Sequence, residues 1–306
     1  MGAYIARRLA HAIFVLIGVS IVVFIVLRVI PGDPISLMFP EGLSPERLRQ
    51  ARAELGLDAP LYKQYAIFLA HAVRGNLGNS FRYQRPALDL VLERLPVTGQ
   101  LAVAALVITM AVGIPLGVLA AARRGGLLDV LTMFMASVGQ SMPTFWLGIM
   151  LIVIFAVALR WFPTSGRESP VHLVLPAVTL SGFSIALTSR LTRAAIREVL
   201  AEDYVRTARA KGVHERAVLV RHVLRNGIIP VVTVLGLQVG ALLGGAVITE
   251  TVFAWPGMGL LAIQAIYTRD YNIVQAVVLL SAFVFLVVNL CVDLFYLVLD
   301  PRIRLE

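Results

Sequence analysis

The chain has 306 residues, of which 58% are hydrophobic, and it carries a formal net charge of +9. A mean hydropathy of +0.84 excludes an ordinary soluble protein and indicates an integral membrane protein. Most of the excess positive charge lies in short segments that flank apolar runs, where it sets membrane topology, so we expect no nucleic-acid partner.

The N-terminal third predicts one membrane span followed by an external segment. An apolar run at 9–27 is long enough to cross a bilayer, and two arginines before it place the N-terminus in the cytosol. This run is too long for a signal-peptide core and no small-residue cleavage site follows it, so residues 1–30 are interpreted as an uncleaved first span. Residues 31–95 are polar enough to form an external segment, with short helices expected at 44–56 and 61–73.

Residues 96–306 predict a core of five further transmembrane helices. The third span of the chain contains Pro143, which kinks a helix and leaves one carbonyl without its helical partner. Basic residues cluster on one side of the membrane, whereas the two short external loops hold three, so both termini are expected in the cytosol. The predicted fold class is an all-α integral membrane protein with six transmembrane helices, at 9–27, 97–122, 130–159, 171–188, 228–249 and 276–298.

Polar and small residues inside the predicted spans are candidates for lining a translocation path. Bonding to neighbouring helices explains Gln140 and Ser141 equally well. Glycines recur every four residues in the fifth span, where close helix packing is the commoner meaning of such a ridge and a seam between two subunits is the alternative. The candidate pathway residues are Gln140, Ser141, Gln238, Gly240, Gly244 and Glu250.

The C-terminal region holds one more polar feature within a span. The sixth span contains Asp293 one turn after Asn289, and its many Val, Leu and Phe residues outweigh the insertion cost of one carboxylate, about 3 kcal/mol. A structural hydrogen bond explains Asp293 more simply than a proton-relay role. Ahead of this span, the expected external loop at 250–271 carries four aromatic residues suited to a membrane-interface belt, Phe253, Trp255, Tyr267 and Tyr271.

The stretch at 190–227 is too polar to span a bilayer, because nine Arg or Lys and four Asp or Glu lie between 190 and 225. Acidic residues favour a helix start at Glu202, and Gly212 tolerates the left-handed conformation that ends a helix. A second helix follows, and a 100° wheel places Ala217, Leu219, Val220, Val223 and Leu224 on its apolar face, with Val218 outside it. An interfacial helix and a docking helix for a cytosolic partner both explain this pattern.

The heptapeptide Arg-Thr-Ala-Arg-Ala-Lys-Gly at 206–212 resembles the cytoplasmic loop of permease subunits of ATP-binding-cassette importers, in the dipeptide and oligopeptide branch. Its first three residues stand where the general pattern has Glu-Ala-Ala, and 17 residues separate Gly212 from Pro230, more than in the general pattern. The resemblance implies that this coupling loop docks an ATPase. The residues it implicates are Glu202, Asp203, Tyr204, Arg206, Thr207, Ala208, Arg209, Ala210, Lys211, Gly212, Val213, Glu215, His222, Arg225, Asn226 and Pro230.

Further motifs extend the resemblance over essentially the whole chain: Pro-Gly-Asp-Pro at 31–34, Leu-Gly-Leu-Asp at 55–58, Glu-Thr-Val-Phe-Ala-Trp-Pro-Gly at 250–257 and Arg-Asp-Tyr at 269–271. The resemblance implies the transmembrane domain of a type I ABC importer in a bacterial inner membrane. It also implies a second homologous permease subunit, two cytosolic ATPases and a periplasmic or lipid-anchored substrate-binding protein. ATP and Mg would belong to the ATPases, so this chain is expected to hold no cofactor or metal.

The sequence lacks the motifs of an enzyme. Neither lysine, Lys63 or Lys211, lies in a Gly-Lys-Ser/Thr phosphate-binding loop, and the single cysteine, Cys291, excludes a cysteine-based metal site. The rival class is a stand-alone secondary transporter or channel, which usually shows buried ionisable pairs or matched halves with interrupted helices. Within the family, nickel complexes and glutathione are alternatives to peptide cargo.

Overall fold

The computed structural model describes residues 2–29, 46, 59–123 and 125–299. Within these ranges the regular structure is helical, with one isolated antiparallel bridge between Asn79 and Pro86. The helix expected at 44–56 lies outside the described residues apart from Glu46, and so do the motifs at 31–34 and 55–58.

The α-helices are α1 (Gly2–Val29), α2 (Leu61–Val73), α3 (Ala87–Ile108), α4 (Ile114–Ala122), α5 (Leu127–Ser141), α6 (Thr144–Leu151), α7 (Val174–Leu200), α8 (Asp203–Ala210), α9 (Glu215–Ala217), α10 (Arg225–Gly227), α11 (Ile229–Val252), α12 (Met258–Tyr267) and α13 (Tyr271–Leu299). Three π-helical segments extend or join them, at Thr109–Gly113, Ile152–Ala158 and Val218–Leu224. A 3₁₀ turn, Pro170–Leu173, leads into α7.

Among the described residues, five helical stretches are long and apolar enough to cross a membrane: Ala6–Val29, Ala87–Ala122, Pro170–Leu200, Ile229–Val252 and Tyr271–Leu294. A bent pair, Leu127–Ser141 with Thr144–Ala158, completes the expected six when it counts as one span. The all-α membrane fold predicted from the sequence is confirmed at this level.

The third predicted span is two helices rather than one kinked helix, because α5 and α6 meet at 107°. Met142 has φ −79° and ψ 127°, an extended conformation, and Pro143 follows it. The ring of a proline disfavours the helical region for the residue before it, so the helix ends at Ser141 instead of bending.

Three helix ends also differ from the predicted spans. Helix α3 begins at Ala87, ten residues before the expected start, and includes Pro96. Helix α7 continues through three arginines to Leu200, beyond the expected end at 188. Helix α13 begins at Tyr271, before the expected start at 276. In each case polar or charged residues extend an apolar helix beyond the run that hydropathy detects.

The chain divides into two units, the first comprising the residues up to Val97 with Gly257–Val287. In this unit the start of α3 packs on α12 and α13 through a buried cluster of Ala87, Leu90, Val91, Met258, Leu261, Ala265, Ile273, Ala276 and Val277. Helix α2 lies on α1, where the Tyr65 and Ser20 hydroxyls are 2.8 Å apart and Tyr65 packs edge-on against Phe24.

The second unit comprises Thr98–Pro256 and the residues from Val288 onward. Helix α7 is central to it and packs against α4, α5, α6 and α11. Its approach to α4 is very close: a Cβ added at Gly117 would lie 2.5 Å from Thr192 Cβ and 2.6 Å from the Ser189 carbonyl oxygen.

The prediction that four aromatic residues form a membrane-interface belt is wrong for two of them. Phe253 and Trp255 are each 1% exposed, and Phe253 packs with Ala156 and Leu175 in a buried cluster. Tyr267, at 85% exposed, does face outward. The loop after α11 therefore folds back onto its own unit because burial of two large rings outweighs their preference for an interface.

Candidate coupling surface and pathway residues

Within the polar stretch at 190–227, residues 202–227 follow the end of α7 and form the coupling stretch. Its first half is helix α8, which begins at Asp203 after Glu202, an N-cap residue in an extended conformation. It ends in a Schellman motif, in which the Gly212 amide donates to the Arg209 carbonyl at 2.9 Å and the Val213 amide to the Ala208 carbonyl at 3.2 Å. Gly212 has φ +75°, the left-handed conformation that its sequence position predicts. The chain therefore turns sharply between the two halves.

The second half joins α9, the π-helical segment Val218–Leu224 and α10. The His214 side chain caps its start by accepting from the Arg216 amide at 3.2 Å. Val218 is fully buried, whereas Val220 is 53% exposed, so the predicted apolar face is wrong at both positions. A π-helix bonds residue i to i+5, which brings Val218 and Val223 to the same side and invalidates a wheel of 100° per residue.

Both halves are fixed to the ends of membrane helices by a buried apolar contact, the anchor cluster, which joins α4, α7, α8 and the π-helical segment. Partly buried side chains, among them Val199 and Leu219, pack around it. The coupling stretch is therefore not a loose loop but a folded element seated on α4 and α7. The anchor cluster consists of Ala121, Ile196, Val205, Ala208, Val218 and Val223.

The register of the second half can be tested with two alanine variants. Val218→Ala is expected to cost about 1–2 kcal/mol because it removes buried methyl groups, whereas Val220→Ala should stay within about 0.5 kcal/mol. Thermal unfolding of the purified chain in mild detergent measures both. A larger loss for Val220→Ala than for Val218→Ala would show that the 100° wheel is the correct register.

Polar bonds tie the two halves together on the outer side. Arg209 donates from Nε to Glu215 Oε2 at 3.0 Å and from Nη2 to Oε1 at 2.5 Å, across the turn at Gly212. The hydrogen bonds from this guanidinium hold the pKa of Glu215 below its usual range, so the carboxylate remains charged at neutral pH. The Tyr204 hydroxyl accepts from Asn226 Nδ2 at 2.9 Å.

Nearly all the residues implicated by the coupling-loop resemblance lie on one continuous folded segment and are accessible. Ala208 is the exception, since it is 7% exposed and belongs to the anchor cluster, and His222 is half-buried. The exposed members are Glu202, Asp203, Tyr204, Arg206, Thr207, Arg209, Ala210, Lys211, Gly212, Val213, Glu215, Arg225, Asn226 and Pro230.

The candidate pathway residues fall into two groups. Gln140 accepts a hydrogen bond from Arg190, and Ser141 donates to the Ser137 carbonyl at 3.0 Å. Both stand at the end of α5. Ser141 also lines an apolar groove of about 530 Å³ inside the α5–α6 bend, together with Phe134, Ser137, Val138, Met142, Pro143, Phe145 and Trp146.

The second group lies along α11. Glu250 is fully buried and accepts from Thr98 Oγ1 at 2.6 Å, which ties α11 to α3 within the second unit. Gln238 donates to Thr188 Oγ1 at 3.3 Å, while its own oxygen finds no partner among the described residues. Gly240 is buried, but a Cβ at Gly244 would meet nothing within 4 Å. Glu250 and Gln238 thus each bond to a neighbouring helix, and Gly244 lies on an open face. The pathway role of these residues stays a prediction.

The structure contains one buried charge cluster that the sequence did not predict. Asp129, at 4% exposed, bonds with both Arg193 and Arg197 at the end of α7, 64 and 68 residues away. In the sequence these arginines are two of the nine basic residues between 190 and 225, with no sign of a buried partner nearby in the chain. The sequence did contain one indication of this cluster. Asp129 lies in the first turn of α5, a helix that begins directly after Gly125 and Gly126. Across the described ranges, no group of three or more His, Cys, Asp or Glu residues could hold a metal ion.

Known proteins and family models match this chain over nearly its whole length. The family model "Binding-protein-dependent transport system inner membrane component" matches residues 113–305, and its N-terminal companion matches 1–102. The "Dipeptide transport system permease protein DppB" of Escherichia coli (strain K12) is 43% identical, covering 98% of each chain. The "Di/tripeptide transport system permease protein DppB" of Pseudomonas aeruginosa (strain UCBPP-PA14) is 42% identical over 99% of each.

Two solved structures support the fold alone, because their sequence identities are low. An amino acid ABC transporter superposes with a TM-score of 0.53 at 16% identity, covering 68% of this chain and 92% of that one. The MetNI methionine ABC transporter superposes with a TM-score of 0.56 at 18% identity, covering 67% and 94%. Both are ABC transporters, and about two thirds of this chain shares their helical fold.

Proposed function

Because the chain belongs to the family of binding-protein-dependent transport system inner membrane components, we propose that it is a permease subunit of an ATP-driven importer of short peptides. Members of this family are transport components rather than enzymes, and they are multi-pass proteins of inner-membrane transport systems. The expectation of a non-enzymatic membrane transport subunit is thereby confirmed.

Short peptides are the proposed cargo on the strength of the relatives. Two of them are named for dipeptide and di/tripeptide transport, and a third, from Brucella abortus (strain 2308), is a "putative peptide transport system permease protein" 42% identical over all of both chains. Identity at this level over full length favours peptides over nickel complexes or glutathione. It also disfavours a stand-alone secondary transporter.

The observation that supports the coupling role is that the exposed, basic coupling stretch packs on two membrane helices, α4 and α7. A partner bound to α8 and α9 pushes on the anchor cluster, and the anchor cluster belongs to α4 and α7 as much as to the coupling stretch. Rigid elements joined by buried contacts transmit such displacements, and domain rocking is a common transport movement. Closure of an ATPase would thus move the helices of the second unit.

The remaining subunits follow from this role as parts of the same proposal. A second homologous permease completes the pathway, two cytosolic ATPases bind ATP and Mg, and an external binding protein delivers the peptide. The exposed face at Gly244 is available to the second permease. Both termini of this chain lie in the cytosol, on the side of the basic coupling stretch.

The proposal is tested by purifying the tagged chain from its native membrane in mild detergent and identifying the proteins that accompany it by mass spectrometry. We expect a cytosolic ATPase, a second multi-span permease and an exported binding protein. The binding protein is then titrated with dipeptides, nickel and glutathione. Recovery of the chain alone, under conditions that keep a known importer intact, would refute the importer assignment.

Charge reversal at the turn of the coupling stretch tests the docking role. Arg209→Glu breaks the bonds to Glu215 and places two carboxylates together, so we expect peptide uptake by the reconstituted complex to fall about tenfold, the effect of about 1.4 kcal/mol. Lys63→Glu, an exposed charge reversal on α2, is the matched control and should leave uptake unchanged. Equal uptake by both variants would remove Arg209 from the docking surface.

A further inference from the structure

We propose that Asp129 is a positioning residue that links the coupling stretch to the broken helix pair α5–α6, an inference that rests on the proposed function. Asp129 lies in the first turn of α5, at the opposite end of that helix from the break before Pro143. It touches neither the candidate pathway nor the exposed coupling surface, and its role is to hold α5 against the end of α7.

The geometry around Asp129 is that of a double clamp. Oδ1 accepts from Arg193 Nε at 2.5 Å, and Oδ2 accepts from Arg193 Nη2 at 3.0 Å. Oδ2 also accepts from Arg197 Nη2 at 2.6 Å and from the Gly125 amide at 3.1 Å. Four donors thus surround one carboxylate, and they come from the end of α7 and from the turn before α5.

Burial separates this cluster from an ordinary surface ion pair. The Asp129 side chain is 5% exposed, and those of Arg193 and Arg197 are 24% and 27% exposed. Bidentate bonding between a guanidinium and a carboxylate is specific in its geometry, and loss of one partner from a buried pair leaves uncompensated charge. The clamp therefore holds one relative position of α5 and α7 rather than a range of positions.

The α7 side of the clamp is directly connected to the coupling stretch. Arg197 follows Ile196 in the chain, and Ile196 is a fully buried member of the anchor cluster. Gly227, which precedes α11, packs so closely that an added Cβ would lie 2.7 Å from Ile196 Cδ1. A displacement of the coupling stretch therefore reaches the α7 turn that holds Asp129.

The α5 side leads to the break in the helix pair. Along α5, Ala136 is buried, and a Cβ on Gly139 would lie 3.5 Å from Ala186 Cβ of α7. At its far end Gln140 accepts from Arg190. Helix α5 is thus bonded to α7 near both of its ends, so the two move as one body. The Ser141–Pro143 break and its groove move with them.

The experiment measures peptide transported per ATP hydrolysed by the complete complex in vesicles, normalised to the amount of assembled complex. Asp129→Asn is expected to lower this ratio about fivefold or more, in line with typical coupling energies between sites. Asp129→Glu, which keeps the carboxylate, should recover most of the ratio. Glu93→Gln removes the carboxylate of the exposed ion pair with Arg85 and serves as the matched control, with an unchanged ratio.

A second variant separates positioning from stability. Asp129→Asn combined with Arg193→Gln removes the bidentate pair but leaves the charge of Arg197 without its carboxylate. The double variant should therefore regain part of the thermal stability that Asp129→Asn loses, while the transport ratio remains low. An unchanged ratio in Asp129→Asn and in the double variant would overturn the inference, as would proportional loss of hydrolysis and uptake in every variant. Absence of ATP-driven peptide uptake in the wild-type complex would instead overturn the proposed function, and this inference with it.

Discussion

Replacing Gly117 with valine is expected to prevent the chain from reaching its native fold. Helix α4 meets α7 at this glycine, where a Cβ would lie 2.5 Å from Thr192 Cβ and 2.6 Å from the Ser189 carbonyl oxygen. The carbonyl belongs to the backbone of a long helix and cannot rotate away as a side chain does. Overpacking typically costs about 1–3 kcal/mol, and a backbone clash exceeds that range.

The measurement is the amount of full-length chain in the membrane fraction and its unfolding temperature in detergent. Because total stability is only about 5–15 kcal/mol, we expect Gly117→Val to accumulate at a small fraction of the wild-type level. Gly99→Val is the control: Gly99 is also a helical glycine, in α3, but an added Cβ there meets no atom within 4 Å. Similar losses in both variants would show that the α4–α7 approach is not the cause.

Replacing Gly212 with valine is expected to abolish most of the peptide uptake while leaving the chain in the membrane. The residue has φ +75°, and a Cβ would meet nothing within 4 Å, so the effect comes from the backbone alone. A left-handed conformation costs an ordinary L-residue about 1–2 kcal/mol, and a β-branched one more. Relief of this strain swings α9 away from α8 and opens the bonds between Arg209 and Glu215.

Gly212→Asn provides the matched control, because asparagine tolerates the left-handed region better than other side chains. We expect Gly212→Val to reduce uptake at least about tenfold and Gly212→Asn to remain near the wild-type value. Uptake is measured in the reconstituted complex, and membrane levels are compared by immunoblot. If both variants transport equally, the angle between the two halves of the coupling stretch does not matter for coupling.

Several local features were predictable because they depend on neighbouring residues. The helix at 61–73 has the predicted bounds, and the stop at Gly212 follows from the tolerance of glycine for positive φ. Pro143 marked the position of the break in the third span. The size of the bend, 107°, was not predictable, because it depends on what α6 packs against. Gly148 of α6 approaches Thr179 and Val252 closely.

Other features required the tertiary structure. The start of α3 at Ala87 was missed because 87–96 contains charges and a proline, yet Leu90 and Val91 stabilise the helix by burial against α12 and α13. The buried position of Val218 depends on a π-helical register that hydrophobic periodicity does not detect. The ion pairs of Asp129 could not be predicted, because the sequence does not show which charged residues, far apart in the chain, lie together in the fold.

Apolar runs and flanking arginines alone were enough to predict a multi-span membrane protein with a polar stretch at 190–227 outside the membrane, because insertion energy is a sum over consecutive residues. The docking role of that stretch was implied only by the family resemblance. The contacts that join the coupling stretch to α4 and α7, and α7 to α4 and α5, came only from the folded chain. They depend on close approach at Gly117, burial in the anchor cluster and charge pairing at Asp129. Such contacts join residues that are distant in sequence, and their energies depend on three-dimensional packing rather than on local composition.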